Sequence, residues 1–263
     1  MESWSFVHAT DIHVGSPRSF RFQPAWNENW LTARRQIIEQ QPDLLIVTGD
    51  LARDGNVHIW ELEAVKADLD ALPFPYRIAA GNMDTGNKHT DVSGPREPRD
   101  DVALNMTSEQ LAAFRSVFGS TRWTFDHKGV RFSGFCDMLA GSGLPEEPQL
   151  WDWLEQQAAR PRAERQVWAM HSPLFVERPD EPNWDITDPA HYTDWYFGVD
   201  EPARGRILDI FKATGADLVL CGHVHCRKSF EAEGIRFEIG ASTAFSQWAD
   251  RWPDGDVTPG FLR

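Results

Sequence analysis

Short apolar runs, each ending in residues able to bind a metal or move a proton, constrain this chain more than any other feature. Phe6-Val7-His8-Ala9 reads as a strand and is followed by Asp11-Ile12-His13. Leu44-Leu45-Ile46-Val47 is wholly apolar, as expected of a strand buried on both faces, and runs into Gly49-Asp50. Tyr76 to Ala80 leads to Gly81-Asn82-Met83-Asp84, Gln166 to Met170 leads to His171, and Asp217 to Cys221 leads to Gly222-His223-Val224-His225. Amphipathic stretches lie between the runs. Trp30, Ala33, Ile37 and Gln41 keep a helical spacing that Pro42 ends, and Ile59, Leu62, Val65 and Leu69 predict a second helix within residues 57–71. Strands alternating with helices predict a layered α/β domain. Ligands of open α/β sheets sit at the carboxyl ends of the strands, so side chains spread over more than 200 residues are expected to meet in one crevice.

The remaining elements follow from the same rules. Ser108 is positioned to cap a helix with Leu111, Phe114 and Phe118 on its inner face and Gly119 past its end. Residues 122–126 and 130–135, split by Lys128-Gly129, read as a hairpin. Leu150, Trp153, Leu154 and Ala158 mark a further helix, Ile207, Ile210 and Phe211 a last one closed by Gly215, and residues 235–241 a last strand. The stretches 84–101 and 172–201 show no periodicity and read as loop. With no internal repeat and only short linkers, residues 1–263 read as a single domain.

Charge and composition narrow the function. Forty acidic against twenty-six basic residues give a net charge of −14, which repels phosphate backbones and anionic lipid, so nucleic acid and membrane surfaces are not expected partners. No run approaches the ~18 apolar residues of a membrane span, and the N-terminus lacks the basic and apolar regions of a secretory signal. Three cysteines, Cys136, Cys221 and Cys226, make no disulfide framework and suit a reducing compartment; the expected setting is cytoplasmic. The phosphate loop G-x-x-x-x-G-K-[ST], the zinc motif H-E-x-x-H and the nucleophile elbow G-x-S-x-G are all missing from the sequence.

The strand-end residues supply two carboxylates, one carboxamide and four imidazoles. Mixed oxygen and nitrogen donors suit first-row divalent metals rather than Ca²⁺ or Mg²⁺. Seven ligands exceed the needs of one tetrahedral ion and fit two ions sharing a carboxylate. Mn, Fe, Zn and Co all tolerate this donor set. Two such ions, less two carboxylates and a bridging hydroxide, carry a net charge of +1, which attracts a phosphate ester. Coordination lowers the pKa of water to around 7, so a hydroxide nucleophile is available at neutral pH.

The order D-x-H, G-D, G-N, H, G-H-x-H resembles the calcineurin-like metallophosphoesterase superfamily, carried here by Asp11-Ile12-His13, Gly49-Asp50, Gly81-Asn82, His171 and Gly222-His223-Val224-His225. Pro42 to Asp54 and Ala216 to His225 are similar to its cyclic-nucleotide and glycerophosphodiester phosphodiesterase branch. The resemblance implies a four-layer αββα sandwich with two facing mixed β-sheets. It implies that Asp11, His13 and His225 bind one metal, that Asn82, His171 and His223 bind the second, and that Asp50 bridges them. It implies a phosphodiesterase that uses a metal-bridging hydroxide as nucleophile, with Asp50, Asn82 and His171 in the catalytic machinery. The expected substrate is a small-molecule phosphate ester, with nucleotides among the candidates.

One position departs from the pattern. Relatives in the phosphodiesterase branch have a histidine after the motif asparagine, which assists the leaving oxygen; here it is Met83, whose thioether has no proton to give. His89, six residues on, reads first as a solvated loop histidine and second as a candidate substitute. Asp84 can orient a histidine ligand or cap backbone. Arg18, Arg21, Trp26 and Trp30 can hold a phosphate or stack on a base, or be exposed arginines and a core-facing Trp30. The aromatic stretch 172–201 follows His171 directly and is expected to lie over the cleft, as a lid or as packing. Relatives continue past the last recognisable strand, so Pro259 to Arg263 is expected to fray or to be completed by a partner. Two competing functions share the scaffold: a phosphomonoesterase, including a protein phosphatase, and a non-catalytic interaction module.

Overall fold

In the computed structural model, the described residues are 3–95, 101–247, 251–252 and 255–263. Strands β1 (Phe6–Ala9), β2 (Leu44–Thr48) and β3 (Tyr76–Ala79) pair in parallel in that order. Strands β4 (Arg122–His127), β5 (Val130–Phe135), β6 (Arg165–Ala169), β7 (Leu218–Cys221), β8 (Lys228–Ala232) and β9 (Ile235–Ile239) form a second sheet in the order β4-β5-β6-β7-β9-β8. That sheet is mixed: the β4–β5 and β8–β9 pairs are antiparallel and the others parallel. The first sheet also carries an antiparallel element, because Leu262 bridges His8 through two backbone hydrogen bonds of 2.9 Å. The C-terminal residues are therefore docked on the edge of β1 rather than frayed.

The two-residue period of the strands builds the layers. Leu44 and Ile46 of β2 meet Phe132, Val167, Ala169 and Leu220 of the second sheet in a buried cluster edged by Trp4, Phe6, Trp123 and Phe125. The Trp123 indole N–H donates across the gap to the Ile78 carbonyl, at 2.5 Å. Leu45 and Val47 point the other way, into a cluster with Trp30, Ala33 and Ile37 of helix α1 (Pro24–Gln40) and Leu62, Val65 and Leu69 of α2 (Ile59–Asp70). On the far side Trp168 packs edge-on against Trp153 of α5 (Glu147–Ala158) and, at 5.1 Å, against Phe211 of α7 (Ala203–Thr214). Helix, sheet, sheet and helix are thus the four expected layers. Between these elements lie α3 (Asn82–Thr85), α4 (Ser108–Phe118) and α6 (Tyr192–Phe197).

Three local expectations need correction. The cap of α4 is Thr107, not Ser108: Thr107 Oγ1 accepts from the Gln110 N–H while Gln110 Oε1 accepts from the Thr107 N–H, a reciprocal capping box. The stretch 84–101 begins inside α3, with residues 96–100 lying outside the described chain, and the stretch 172–201 contains α6. Strand β8 went unread because Lys228, Ser229 and Glu231 give an edge strand a polar appearance; it turns into β9 at Glu233-Gly234, both at positive φ.

His8 is a buried histidine of the sheet. Its Nε2 lies 2.8 Å from Thr48 Oγ1, and burial, partly opposed by the Asp11 carboxylate, lowers its pKa to about 4. The unfolded chain, with an ordinary imidazole, binds this proton first, so stability falls as the pH drops from about 6.5 toward 4. The loss is on the order of 3 kcal/mol at pH 4. His8→Gln keeps a partner for Thr48 and cannot titrate. Denaturant midpoints of the metal-free proteins should converge with, or fall below, the variant's as the pH falls; parallel curves would contradict this reading.

Candidate metal centre

The seven strand-end residues are brought together. Asp11, His13, Asp50, Asn82, His171, His223 and His225 are all buried, at the carboxyl ends of β1, β2, β3, β6 and β7. Five of them, Asp11, His13, Asp50, His223 and His225, have φ between 48° and 69°. L-residues adopt this left-handed conformation at a cost, and such strain clusters where function requires it. Backbone bonds across the loops hold it: the Asp11 N–H donates to the Gly49 carbonyl, His13 N–H to Asp50, and Gly222 N–H to His171. Two glycines make room. Gly49 sits at φ +87° with His171 and Gly81 against it, and a side chain on Gly81 would collide with the Asp50 backbone and carboxylate.

The ligand atoms form two groups that share Asp50: Asp11, His13, Asp50 and His225 in one, Asp50, His171 and His223 in the other. In the first, His225 Nε2 is 3.2 Å from Asp11 Oδ1 and 3.0 Å from His13 Nε2, and His13 Nε2 is 3.7 Å from Asp50 Oδ2. In the second, His171 Nε2 is 3.3 Å from Asp50 Oδ1, 3.1 Å from Asn82 Oδ1 and 3.1 Å from His223 Nδ1.

The outer ring nitrogens decide what these inner atoms are. His171 Nδ1 faces the Thr48 carbonyl at 2.7 Å, His225 Nδ1 the Phe245 carbonyl at 2.9 Å, and His223 Nε2 the Tyr196 carbonyl at 3.0 Å. A carbonyl only accepts, so each outer nitrogen carries a proton, and the neutral form of each ring, the form that binds a metal, turns its lone pair inward. Lone pairs and carboxylate oxygens packed this closely in a buried site call for cations. The local field agrees. Burial opposes charge on His171, yet the carboxylates of Asp50, Asp11 and Asp137 outweigh it and raise its pKa to about 9. Burial would also raise the pKa of Asp11, but His225, His171 and His13 hold it well below the usual carboxylate range, whereas burial and the neighbouring Asp11 raise that of Asp50. The residues present therefore fit two divalent ions, with Asp50 reaching both.

Other expected residues fall elsewhere. His89 is exposed, its ring bonded to Asp91 at 3.1 Å and Asn105 at 3.3 Å, and it belongs to neither ligand group. Asp84 orients no histidine: it accepts from the backbone N–H groups of Leu51, Ala52 and Gly81, tying the loops after β2 and β3 together. Trp30 is core, Arg18 is exposed, and Arg21 covers Phe20. Cys226 is buried outside both groups. Within the stretch 172–201, Leu174, Phe175, Val176, Phe197 and Val199 join the main core and Ile186, Tyr192 and Trp195 form a small cluster, while Tyr196 reaches the centre: its oxygen accepts from Asn82 Nδ2 at 3.2 Å and its ring lies 4.8 Å from His223. Lys88 anchors this segment through the Trp195 and Gly198 carbonyls and Asp200.

Three contributors escaped sequence reasoning. Asp137 accepts from the His171 and Ser172 N–H groups and sets the loop after β6. Phe245 packs on His225 at 4.4 Å and His13 at 5.1 Å. Arg53, three residues past Asp50, stands over Trp26 and Phe245. Only Arg53 left a signal, as a cation in the same loop as a ligand.

The family model described as calcineurin-like phosphoesterase matches residues 5–227, a span that includes all seven of these residues. The chain belongs to this family. A calcineurin-like phosphoesterase of this composition is 23% identical over 254 residues to a serine/threonine-protein phosphatase CPPED1 of Danio rerio, covering 85% of this chain and 72% of the relative. It is 24% identical over 214 residues to a probable cyclic nucleotide phosphodiesterase of Rhodococcus erythropolis, covering 79% and 59%. It shares the fold of the purple acid phosphatase PPD1 from yellow lupin (Lupinus luteus) seeds, with a TM-score of 0.57 at 14% identity over 90% of this chain and 43% of that one. Among the described residues no helix is long and apolar enough to cross a membrane.

Proposed function

We propose that this calcineurin-like phosphoesterase is a phosphodiesterase with a dinuclear metal centre, acting on small-molecule phosphate diesters such as cyclic nucleotides, in the cytoplasm. Asp11, His13 and His225 would hold one ion, Asn82, His171 and His223 the other, and Asp50 both. Bound there, two divalent ions supply Lewis acidity and a nucleophile at neutral pH. The chain's own residues fix the tautomer of His171, His223 and His225, bury the donors against competing water and leave a half-exposed rim of Met83, Arg53, Tyr196, Trp26 and Phe245 around them.

The charge of that rim carries the diester reading. Lys88 is paired with Asp200, so the rim brings no basic cluster, only Arg53, to the centre's own charge of +1, a balance suited to the single negative charge of a diester. The Rhodococcus relative named as a phosphodiesterase supports the reading. A second reading, phosphomonoesterase, has the support of the relative named as a protein phosphatase. Initial rates on bis(p-nitrophenyl) phosphate and p-nitrophenyl phosphate with Mn²⁺ separate the two. A higher rate on the diester is expected, and a higher rate on the monoester would reverse the assignment.

A further inference from the structure

The rim of the centre contains a cation with no assigned task. The Arg53 backbone is pinned, its N–H donating to the Val14 carbonyl at 2.9 Å beside the Val14–Ala52 bridge that extends the β1–β2 ladder toward the metal site. Its side chain is set as firmly. Nε donates to the Phe20 carbonyl at 2.9 Å, and the guanidinium carbon lies 5.2 Å from the Trp26 ring centre, 5.7 Å from Phe20 and 6.0 Å from Phe245. Trp26 and Phe245 stack on each other at 4.4 Å, and Phe245 in turn lies against His13 and His225. The aromatic wall thus connects the guanidinium to the half of the centre formed by Asp11, His13 and His225. The Arg53 charge also faces Asp50 and Tyr196, which places it at the mouth. Among the described residues, neither Nη atom has a hydrogen-bond or ion-pair partner.

We infer that Arg53 grips the non-bridging phosphate oxygens of the substrate, and that Trp26 and Phe245 form the wall that aims its guanidinium at the metal centre. The inference rests on the phosphoesterase reading above. A planar fork whose outer N–H groups are unused, held rigid by aromatic faces and one backbone bond, loses little entropy on binding and matches two phosphate oxygens at once. The metals supply charge at the phosphorus; Arg53 fixes which way the ester points. A surface cation–π staple would need the aromatic contacts alone and would leave substrate affinity untouched.

The test uses the full chain loaded with Mn²⁺ and two variants, Arg53→Gln and Arg53→Lys, with inorganic phosphate as the binding probe. Arg53→Gln should weaken phosphate binding by roughly 10- to 100-fold and raise KM for bis(p-nitrophenyl) phosphate by a similar factor, with a smaller change in kcat. Arg53→Lys should recover part of the phosphate affinity, because the charge remains and the fork is lost. Two Mn²⁺ per chain and an unchanged melting temperature in Arg53→Lys would exclude loss of fold as the cause. If wild type turns over the diester while both variants keep its phosphate affinity and KM, Arg53 is a packing residue and the inference fails alone. If wild type binds two Mn²⁺ yet neither binds phosphate nor cleaves either ester, the phosphoesterase reading falls, and this inference with it.

Discussion

Asp50→Ala should lower turnover of any phosphate ester by on the order of 10⁴-fold or more and reduce bound Mn²⁺ from two ions per chain to one or none. No other ligand belongs to both groups: the Asp50 carboxylate faces His13 Nε2 at 3.7 Å through one oxygen and His171 Nε2 at 3.3 Å through the other. With two ions bound as proposed, removing it would take a ligand from each and half of the carboxylate charge that offsets them. The fold should survive. Burial and Asp11 raise the Asp50 pKa, so the metal-free site holds this carboxylate at a cost, and its loss relieves crowding around Asp11. Metal content by atomic emission, turnover, and the melting temperature of the metal-free protein check all three statements. Asp50→Ala with two tightly bound ions and wild-type turnover would refute the bridging role.

The second large effect concerns the leaving group. An aryl leaving group such as nitrophenolate departs without a proton, whereas an alkoxide needs one. Met83, half-exposed at the rim, uses its backbone N–H to bond Asp50 Oδ1 at 2.8 Å and has a thioether where the resemblance implies an imidazole. His89 is turned to Asp91 and Asn105. Rates on alkyl diesters should therefore trail those on aryl diesters by an extra factor of roughly 10²–10⁴ beyond the intrinsic difference in reactivity. Met83→His should raise the alkyl rate and leave the aryl rate nearly unchanged. Equal rates on the two classes would show that another group donates, and the Tyr196 hydroxyl, 3.2 Å from Asn82 Nδ2, is a candidate.

The parts of this account legible in the sequence are those written locally. A short, wholly apolar run such as Leu44 to Val47, ended by Gly49, fits a doubly covered strand, and a ligand placed just beyond it lies at the carboxyl end of that strand, where the ligands of the other strands meet it. Phe245 was not legible, because its place depends on chain folded back from far away: it is 20 residues past His225 yet accepts its ring N–H. Tyr196 was legible only as one of the aromatics in a stretch expected over the cleft; its contact with His223, 27 residues on, was not. Asp137 reads as one acidic residue among many until its two backbone partners are seen. The docking of Leu262 on His8 belongs to the same class, a β-bridge from β1 to a C-terminal residue whose surroundings show no strand pattern. Thr107 and Ser108 are both good caps by composition, and only the reach of Gln110 selects between them.

Titrating metal-free protein with Mn²⁺ while following both ion binding and bis(p-nitrophenyl) phosphate hydrolysis tests the central claim most directly. The expected result is two ions per chain, with turnover appearing as the second site fills and vanishing on chelation. Full turnover in the chelated protein, or two bound ions with no turnover of either aryl ester, would contradict it.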